Sequence, residues 1–244
     1  MLFNPWLSFS LMFLIAWLII FLLNKKLRKE MFFVSLLTMP FGLTEPLFVP
    51  EYWLPDSLFN LALKTGFDIE SFIFSFAIGG IGSVIYEYFF RTKHRKMTGH
   101  EKHSKKHKYH LVSLISPIIV FLILFFFTSL NPIYTASISM LIGGISALFC
   151  RPDLKKKIFV SGFLFLVLYF AFFFLFILAY PNIVEKFWNL KAISGILVLG
   201  IPIEELIFAF TFGMLWGSYY EHLKWYKENP NRNFLSLQIC HSKQ

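Results

Sequence analysis

The sequence has few charged residues and almost no cysteine. Only 15% of its 244 residues are Asp, Glu, Lys or Arg, 57% are hydrophobic, and the mean hydropathy is +0.63. Soluble domains carry about 25% charged residues, so this composition excludes an ordinary soluble protein. The two cysteines, Cys150 and Cys240, are too few for a disulfide framework, and we expect both to be free thiols.

Motifs for nucleotides and metals are also missing. The chain has no Gly-rich dinucleotide fingerprint, no phosphate-binding loop and no Cys/His ligand pattern, so we expect no cofactor. Five histidines lie among lysines in the segment 91–110: His94, His100, His103, His107 and His110. The lysine charges repel a cation, so we expect no metal site. We expect a disordered loop attracted to anionic lipid headgroups, and no binding of nucleic acid despite a net charge of +9.

Several apolar runs reach the roughly 20 residues that cross a lipid bilayer as a helix. We predict an all-α membrane protein with seven transmembrane helices, at about 5–23, 31–50, 67–90, 111–130, 133–150, 158–180 and 193–220. All 23 Lys and Arg residues except Lys64, Lys186 and Lys191 then lie on one side. The positive-inside rule therefore predicts a cell-membrane protein with an external N-terminus and a cytoplasmic C-terminus. An aromatic belt at the external edge is predicted for Trp6, Tyr52, Trp53, Tyr180 and Trp188.

The third and seventh predicted spans are similar to each other. Asp68 to Tyr88 aligns without gaps on Pro202 to His222, with these identities: Ile69/Ile203, Glu70/Glu204, Ile73/Ile207, Phe74/Phe208, Phe76/Phe210, Gly79/Gly213, Tyr86/Tyr220 and Glu87/Glu221. Both spans run from outside to inside, which predicts parallel repeats of three helices joined by a linker helix, a 3+1+3 bundle. The single membrane domain, 1–244, would comprise repeat one (about 5–90), a basic cytoplasmic loop (91–110), the linker helix (about 111–130), repeat two (about 133–222) and a cytoplasmic tail (223–244).

Acidic residues inside the apolar runs are the strongest functional signal. Glu204 and Glu205 follow a helix break at Gly200 and Pro202, and Glu70 and Glu45 lie in the third span and the irregular second span. A charge at the centre of a membrane helix costs about 2.5–3.5 kcal/mol and usually marks a site. A protonated carboxyl and a carboxylate in one dry pocket form a proton donor and acceptor pair, so all four are candidate catalytic residues.

Residues near these acids suggest the rest of the site. Phe74 and Phe208 lie one helical turn after Glu70 and Glu204, where a ring face stabilises a cation by about 0.5–2 kcal/mol. Small residues predict close helix contacts: Gly79, Gly80, Gly82, Ser83, Gly213 and Gly217. Glu87 and Glu221, near the cytoplasmic ends, are expected to anchor the interface or bond the basic loops.

Three segments resemble a known family, the integral-membrane lycopene cyclases of carotenoid biosynthesis, in their fused two-repeat form. These segments are Pro202-Ile203-Glu204-Glu205 before an aromatic-rich helix, its echo Asp68-Ile69-Glu70, and Leu43-Thr44-Glu45-Pro46-Leu47-Phe48-Val49-Pro50-Glu51-Tyr52-Trp53. The first repeat departs from the motif, with Asp68 and Ser71 in place of the proline and the second glutamate.

The resemblance implies a lycopene beta-cyclase type of isomerase, an intramolecular lyase that converts the ψ-ends of lycopene, or of a related acyclic carotenoid, to β-rings without redox chemistry. It implies that Glu204 and Glu205 donate and remove protons, that Glu70 and Glu45 shape or share these roles, and that Phe74, Phe208 and Pro202 contact the substrate. It leaves open a β, γ or ε ring, cyclisation at one or both ends, which glutamate is the acid, and a homo-oligomer.

Two other functions fit a seven-helix bundle. A proton-coupled small-molecule transporter shares the 3+1+3 arrangement, but sparse neutral polar residues and abundant aromatic rings favour an apolar substrate. A retinal protein needs a lysine in the middle of its seventh span, and none lies between Ala192 and Tyr220.

Overall fold

The computed structural model describes residues 4–229 and is mostly helical. The helices are α1 (Pro5–Leu23), α2 (Arg28–Thr38), α3 (Glu45–Phe48), α4 (Leu61–Thr65), α5 (Ile69–Phe90), α6 (Gly99–Lys102), α7 (His110–Phe127), α8 (Pro132–Cys150), α9 (Lys155–Ala179), α10 (Ile183–Phe187) and α11 (Ile203–Lys224). The strands are β1 (Lys93–Lys96), β2 (Leu197–Val198), β3 (Ile201–Pro202) and β4 (Tyr226–Asn229). Cys240 and the predicted tail beyond residue 229 lie outside the described residues.

Six stretches are long and apolar enough to cross a membrane: Pro5–Leu23, Arg28–Phe48, Ile69–Phe90, Lys105–Phe127, Pro132–Cys150 and Pro152–Ala179. They indicate a multi-pass membrane protein. The second stretch is irregular, as its prolines predict, because a 3-10 segment, Met39–Thr44, joins α2 to α3.

Helices α1 and α8 begin with the same Asn-Pro capping sequence. Asn4 and Asn131 precede Pro5 and Pro132, and the side chain of each asparagine accepts a hydrogen bond from a backbone N–H of the first turn. Proline at the first helical position needs no donor there, and the asparagine satisfies a free N–H. Asp68 caps α5 similarly, accepting from the N–H of Ser71 at 2.5 Å.

Helices α5 and α11 form the centre of the bundle. Helix α5 packs against α1 and α2, α11 packs against α8 and α9, and α5 and α11 contact each other. Helix α7 packs on α8. We call the end of the bundle where α1, α5, α8 and α11 begin the tryptophan end, because Trp53 and Trp188 form a β-bridge there. The opposite end, which carries β1 and β4, is the lysine-rich end.

Close contact at glycines holds the central helices, as predicted. A Cβ on Gly79 would lie 1.9 Å from Oγ1 of Thr38, and a Cβ on Gly217 would lie 2.3 Å from Cβ of Ser161. Only a residue without a side chain allows these helix surfaces to approach so closely.

The predicted seventh span, 193–220, is wrong at its start. Residues 197–202 form a short hairpin in which β2 pairs with β3, and α11 begins only at Ile203. Gly200 adopts a φ of +86°, which a residue with a side chain rarely adopts. A short hairpin therefore replaces the start of the predicted helix, and Glu204 and Glu205 lie in the first turn of α11.

The expectation of a disordered basic loop is also wrong. Strand β1 pairs antiparallel with β4, from Lys93 opposite Asn229 to Lys96 opposite Tyr226. Thr98 and Glu101 then form a capping box at the start of α6. The backbone of this loop is thereby paired and capped, and lysine content alone did not reveal it.

Candidate functional site

A cavity of about 300 Å³ lies between α5, α11, α7, α8 and the irregular segment around α3. Aromatic and aliphatic side chains dominate its lining, with Phe9, Phe48, Phe121, Phe212 and Trp216 among them. Its carboxylates are Glu45 and Glu205, and none of the described residues that line it is basic. The cavity therefore combines an apolar surface with two acidic groups.

Glu205 is held by three hydrogen-bond donors. Its Oε1 accepts from the Tyr52 hydroxyl at 2.5 Å and from the Trp188 indole at 2.8 Å, and its Oε2 accepts from the Tyr169 hydroxyl at 2.5 Å. The side chain is 5% exposed. Hydrogen bonds from neutral donors stabilise a carboxylate without cancelling its charge.

Glu45 is less constrained than Glu205. Its Oε2 accepts from the Ser71 hydroxyl at 3.0 Å, whereas its Oε1 is buried and has no hydrogen-bond partner among residues 4–229. Ser71 occupies the position that matches Glu205 in the aligned repeat. Helix α11 thus carries a glutamate in its first turn, and α5 carries at the aligned position a serine that contacts a glutamate from α3.

Glu70 and Glu204 are matched in the internal alignment and have similar hydrogen-bond partners. Oε1 of Glu70 accepts from Nδ2 of Asn4 at 2.7 Å and from the N–H of Leu58 at 2.6 Å. Oε1 of Glu204 accepts from the Tyr134 hydroxyl at 2.6 Å and from the N–H of Ser194 at 2.9 Å. Glu70 therefore links the loop before α5 to the start of α1, and Glu204 links the loop before α11 to the start of α8.

The structure separates the sequence-predicted residues into two groups. Glu45, Glu205, Phe74 and Phe208 line the cavity, and Glu70, Glu204 and Pro202 do not belong to its lining. Phe74 packs on Phe9 with ring centroids 5.8 Å apart, and Phe208 packs on Phe212 with centroids 5.7 Å apart. Pro202 is the last residue before α11 and fixes where that helix begins.

The predicted aromatic belt is wrong for most of its members. Trp6, Tyr52, Trp53 and Trp188 lie at the expected end but are 3–8% exposed. Carboxylates inside the bundle provide partners for three of them, since Trp6 donates to Asp68 at 3.3 Å and both Tyr52 and Trp188 donate to Glu205. Buried Tyr and Trp side chains usually have a hydrogen-bond partner for the O–H or N–H group, and these carboxylates supply it here.

Sequence reasoning missed the roles of four residues that donate hydrogen bonds to the cavity carboxylates: Tyr52, Tyr169, Trp188 and Ser71. Ser71 could have been found, because it stands opposite Glu205 in the internal alignment. Tyr52 and Trp188 are members of the predicted aromatic belt, which gives them an interfacial role. Tyr52 also lies in the segment that resembles the lycopene cyclases. Tyr169 lies in a uniform Phe-rich run of α9, where nothing in the pattern distinguishes it.

A second cluster of buried acids lies at the lysine-rich end, on the same central helices. Lys157 contacts both Glu87 and Glu221, and Nε2 of His94 lies 3.2 Å and 3.0 Å from their carboxylates. Glu30 lies 3.7 Å from Nδ1 of His94. The prediction that Glu87 and Glu221 bond the basic loop is confirmed.

His94 carries a charge in this cluster. Burial by itself lowers the pKa of the imidazole, but hydrogen bonds to Glu221 and Glu87 outweigh it and raise the pKa to about 10. His94 is therefore an imidazolium at neutral pH, and together with Lys157 it balances much of the acidic charge.

The fold and the site together define a polytopic helical membrane protein with two carboxylates in an aromatic cavity. A family model described as Lycopene cyclase matches residues 131–223, less than half of the chain. The matched region runs from the start of α8 through α9 to the end of α11, and it includes Tyr134, Tyr169, Trp188, Glu204 and Glu205. No curated protein and no solved structure matches the chain.

Proposed function

We propose that this protein is a lycopene cyclase that converts the ψ-ends of lycopene to β-rings by acid and base catalysis. The observation that carries the proposal is the pair of buried carboxylates, Glu45 and Glu205, on one aromatic cavity whose described lining has no basic residue. The match of residues 131–223 to the lycopene cyclase family supports the same chemistry.

We propose the fused two-repeat form with a 3+1+3 arrangement. Repeat one comprises α1, the α2–α3 segment and α5, the linker is α7, and repeat two comprises α8, α9 and α11. The paired surroundings of Glu70 and Glu204 support this repeat, because each accepts a loop N–H and a side-chain donor from its own half. The distribution of Lys and Arg supports a cytoplasmic lysine-rich end and an external N-terminus.

The reaction needs one proton donor and one proton acceptor. We assign the donor to Glu45, whose Oε1 has no partner in the described part of the chain and is free to carry a proton. The proton adds to the terminal double bond of a ψ-end, and the neighbouring alkene attacks the resulting carbocation to close the ring. Glu205, whose carboxylate form is stabilised by its three donors, removes a proton from the cyclohexyl cation to form the β-ring double bond. The substrate gains one proton and loses one, so its composition is unchanged, and return of the proton from Glu205 to Glu45 by exchange with solvent restores both groups for the next cyclisation.

Aromatic rings around the cavity stabilise the cations. Phe74 and Phe208 line it from α5 and α11, the two helices that carry Ser71 and Glu205. A ring face contributes about 0.5–2 kcal/mol toward a cation, depending on how dry the site is. Glu70, Glu204 and Pro202 act as positioning residues in this scheme, because they hold the loops and helix starts on which the cavity depends.

The cavity suits one end of a polyene. Its volume of about 300 Å³ is at the lower limit of small-molecule sites, about 300–1,000 Å³. A ψ-end occupies it while the rest of the chain extends into the bilayer past α7, whose Pro117, Ile118 and Phe121 form one wall. Each end of the substrate then enters in a separate binding event.

Expression in a bacterial host that accumulates lycopene tests the proposal. We expect new pigments of unchanged mass with absorption at shorter wavelength, and we expect Glu45→Gln and Glu205→Gln to abolish them at equal membrane expression. Glu185→Gln is the matched control, because Glu185 is exposed in α10 and should leave the pigments unchanged. Unchanged lycopene with confirmed membrane expression would contradict cyclisation and favour the proton-coupled transporter.

A further inference from the structure

Two neighbouring histidines, His107 and His110, converge at the lysine-rich end with Cys150, which lies 43 and 40 residues further along the chain. Nδ1 of His107 and Nδ1 of His110 each lie 3.5 Å from Sγ of Cys150. His107 ends a 3-10 turn, His110 begins α7, and Cys150 ends α8. The three possible ligand atoms all lie within 4.8 Å of one another.

We propose that His107, His110 and Cys150 bind a borderline-soft divalent cation, Zn²⁺ by preference, as a structural site distinct from the cavity. Tetrahedral zinc with Zn–N of about 2.0–2.1 Å and Zn–S of about 2.3 Å requires an N···S separation of about 3.5 Å. Both N···S distances in the structure have this value, so a cation can enter between the three atoms with little movement of the backbone.

The chemistry of the three groups also favours a metal. A thiol is a weak hydrogen-bond donor and a weak acceptor, so hydrogen bonding gives little reason to bring two imidazoles onto one buried sulfur. A thiolate and two neutral imidazoles are preferred zinc ligands. On binding, the thiol loses its proton to solvent, the Zn–S and Zn–N bonds form, and no redox change occurs.

The charges around the site do not prevent binding. Lys105, Lys106 and Lys108 are exposed, so their charges point into solvent, where they are screened. The buried guanidinium of Arg151 forms two hydrogen bonds to Asp153, at 2.9 Å and 2.7 Å, and is thereby compensated. The sequence-based objection that lysines repel a cation therefore loses its force in the folded protein.

Neighbouring groups order the ligands and give access to them. The ring of Trp225 stacks on His110 with centroids 3.7 Å apart and packs edge-on against His107 at 5.2 Å. A solvent-open cavity reaches His107, so a cation can enter from the aqueous side and a water molecule can supply the fourth ligand. The metal would fasten the start of α7 to the end of α8.

Metal content of the purified full-length protein tests the proposal. After removal of the affinity tag, the protein in detergent is loaded with Zn²⁺ and freed of unbound metal. Its zinc content is then measured by inductively coupled plasma mass spectrometry. We expect about one Zn²⁺ per chain, and at least a tenfold weaker affinity in Cys150→Ser and in His110→Gln. Cys240→Ser and His100→Gln are the matched controls. The first replaces the other cysteine, and the second replaces an exposed histidine of the same loop. Equal metal content in all four variants, or none in the unmodified protein, would overturn the site.

A cobalt spectrum decides the question even if the site variants fail to fold. With Co²⁺ in place of Zn²⁺, the unmodified protein should show tetrahedral d–d bands and a thiolate-to-cobalt charge-transfer band at one equivalent. A spectrum without the thiolate band would refute coordination by Cys150. Neither readout depends on cyclisation, so the metal site and the proposed function succeed or fail separately.

Discussion

The two buried acid clusters of this bundle differ in how their charge is balanced. At the lysine-rich end, Glu87 and Glu221 contact Lys157 and the imidazolium of His94. At the tryptophan end, the donors to Glu205 from residues 4–229 are two hydroxyl groups and one indole. The same central helices, α5 and α11, carry both clusters. Cations make a buried acid a structural element, whereas neutral donors leave its charge available for proton transfer.

Replacing Lys157 by a neutral residue removes a cation from the acid cluster at the lysine-rich end. Lys157→Met leaves Glu87 and Glu221 with one cation, His94, in a buried site, and loss of one partner of a buried ion pair costs about 3–5 kcal/mol. We expect a large fall in the midpoint of thermal unfolding, measured in detergent by fluorescence-detected gel filtration, and a low yield of monodisperse protein. Lys155→Met, an exposed lysine two residues earlier, is the control and should have little effect. Equal stability of both variants would show that the lysine-rich end does not depend on charge balance.

Deprotonation of His94 at high pH weakens the same cluster by a smaller amount than loss of Lys157. Glu30, Glu87, Glu221 and Lys157 surround this imidazole. Its pKa is about 10 in the folded protein and about 6.5 when unfolded, so its contribution to stability is complete below pH 6.5 and is lost as pH rises through 10. A hydrogen bond to a charged group is worth about 1.5–3 kcal/mol. At pH 6 we expect the free energy of unfolding of the wild type, obtained from thermal unfolding, to exceed that of His94→Gln by about this amount. We expect the difference to shrink by pH 10.5. A difference that stays constant across this range would exclude a charged His94.

The residue pattern predicted the helical part of the fold because membrane spans and repeats are properties of single segments. Apolar length located the spans, and the internal alignment of α5 with α11 located the acids at their first turns. Strand β1 was missed because its partner, β4, lies more than a hundred residues further along the chain. Pairing between distant short segments leaves no periodic signal.

The site was predicted only in part for a similar reason. Local sequence identifies an acid in an apolar run, but it does not reveal which side of the helix faces a cavity. Glu204 and Glu205 are adjacent and carry the same charge, yet only Glu205 lines the cavity, because adjacent helical residues point about 100° apart. Tyr169 was missed because its role depends entirely on a contact between α9 and α11.

Glu204→Gln is expected to have the smallest effect of these variants, and its comparison with Glu205→Gln separates the roles of the two adjacent glutamates. Glutamine at 204 keeps a carbonyl oxygen that accepts from Tyr134 or Ser194, so we expect stability to change by about 0.5–1.5 kcal/mol and cyclisation by less than about threefold. Glutamine at 205 removes the proposed proton acceptor, and loss of a general base costs about 10²–10⁴-fold in rate. Pigment formation rates at equal protein level, in membranes from the lycopene-accumulating host, measure both. Equal losses in the two variants would restore the direct catalytic role that the sequence alone gave Glu204. A large loss confined to Glu205 would assign the chemistry to the carboxylate that faces the cavity, and would make Glu204 the residue that holds the loop above it.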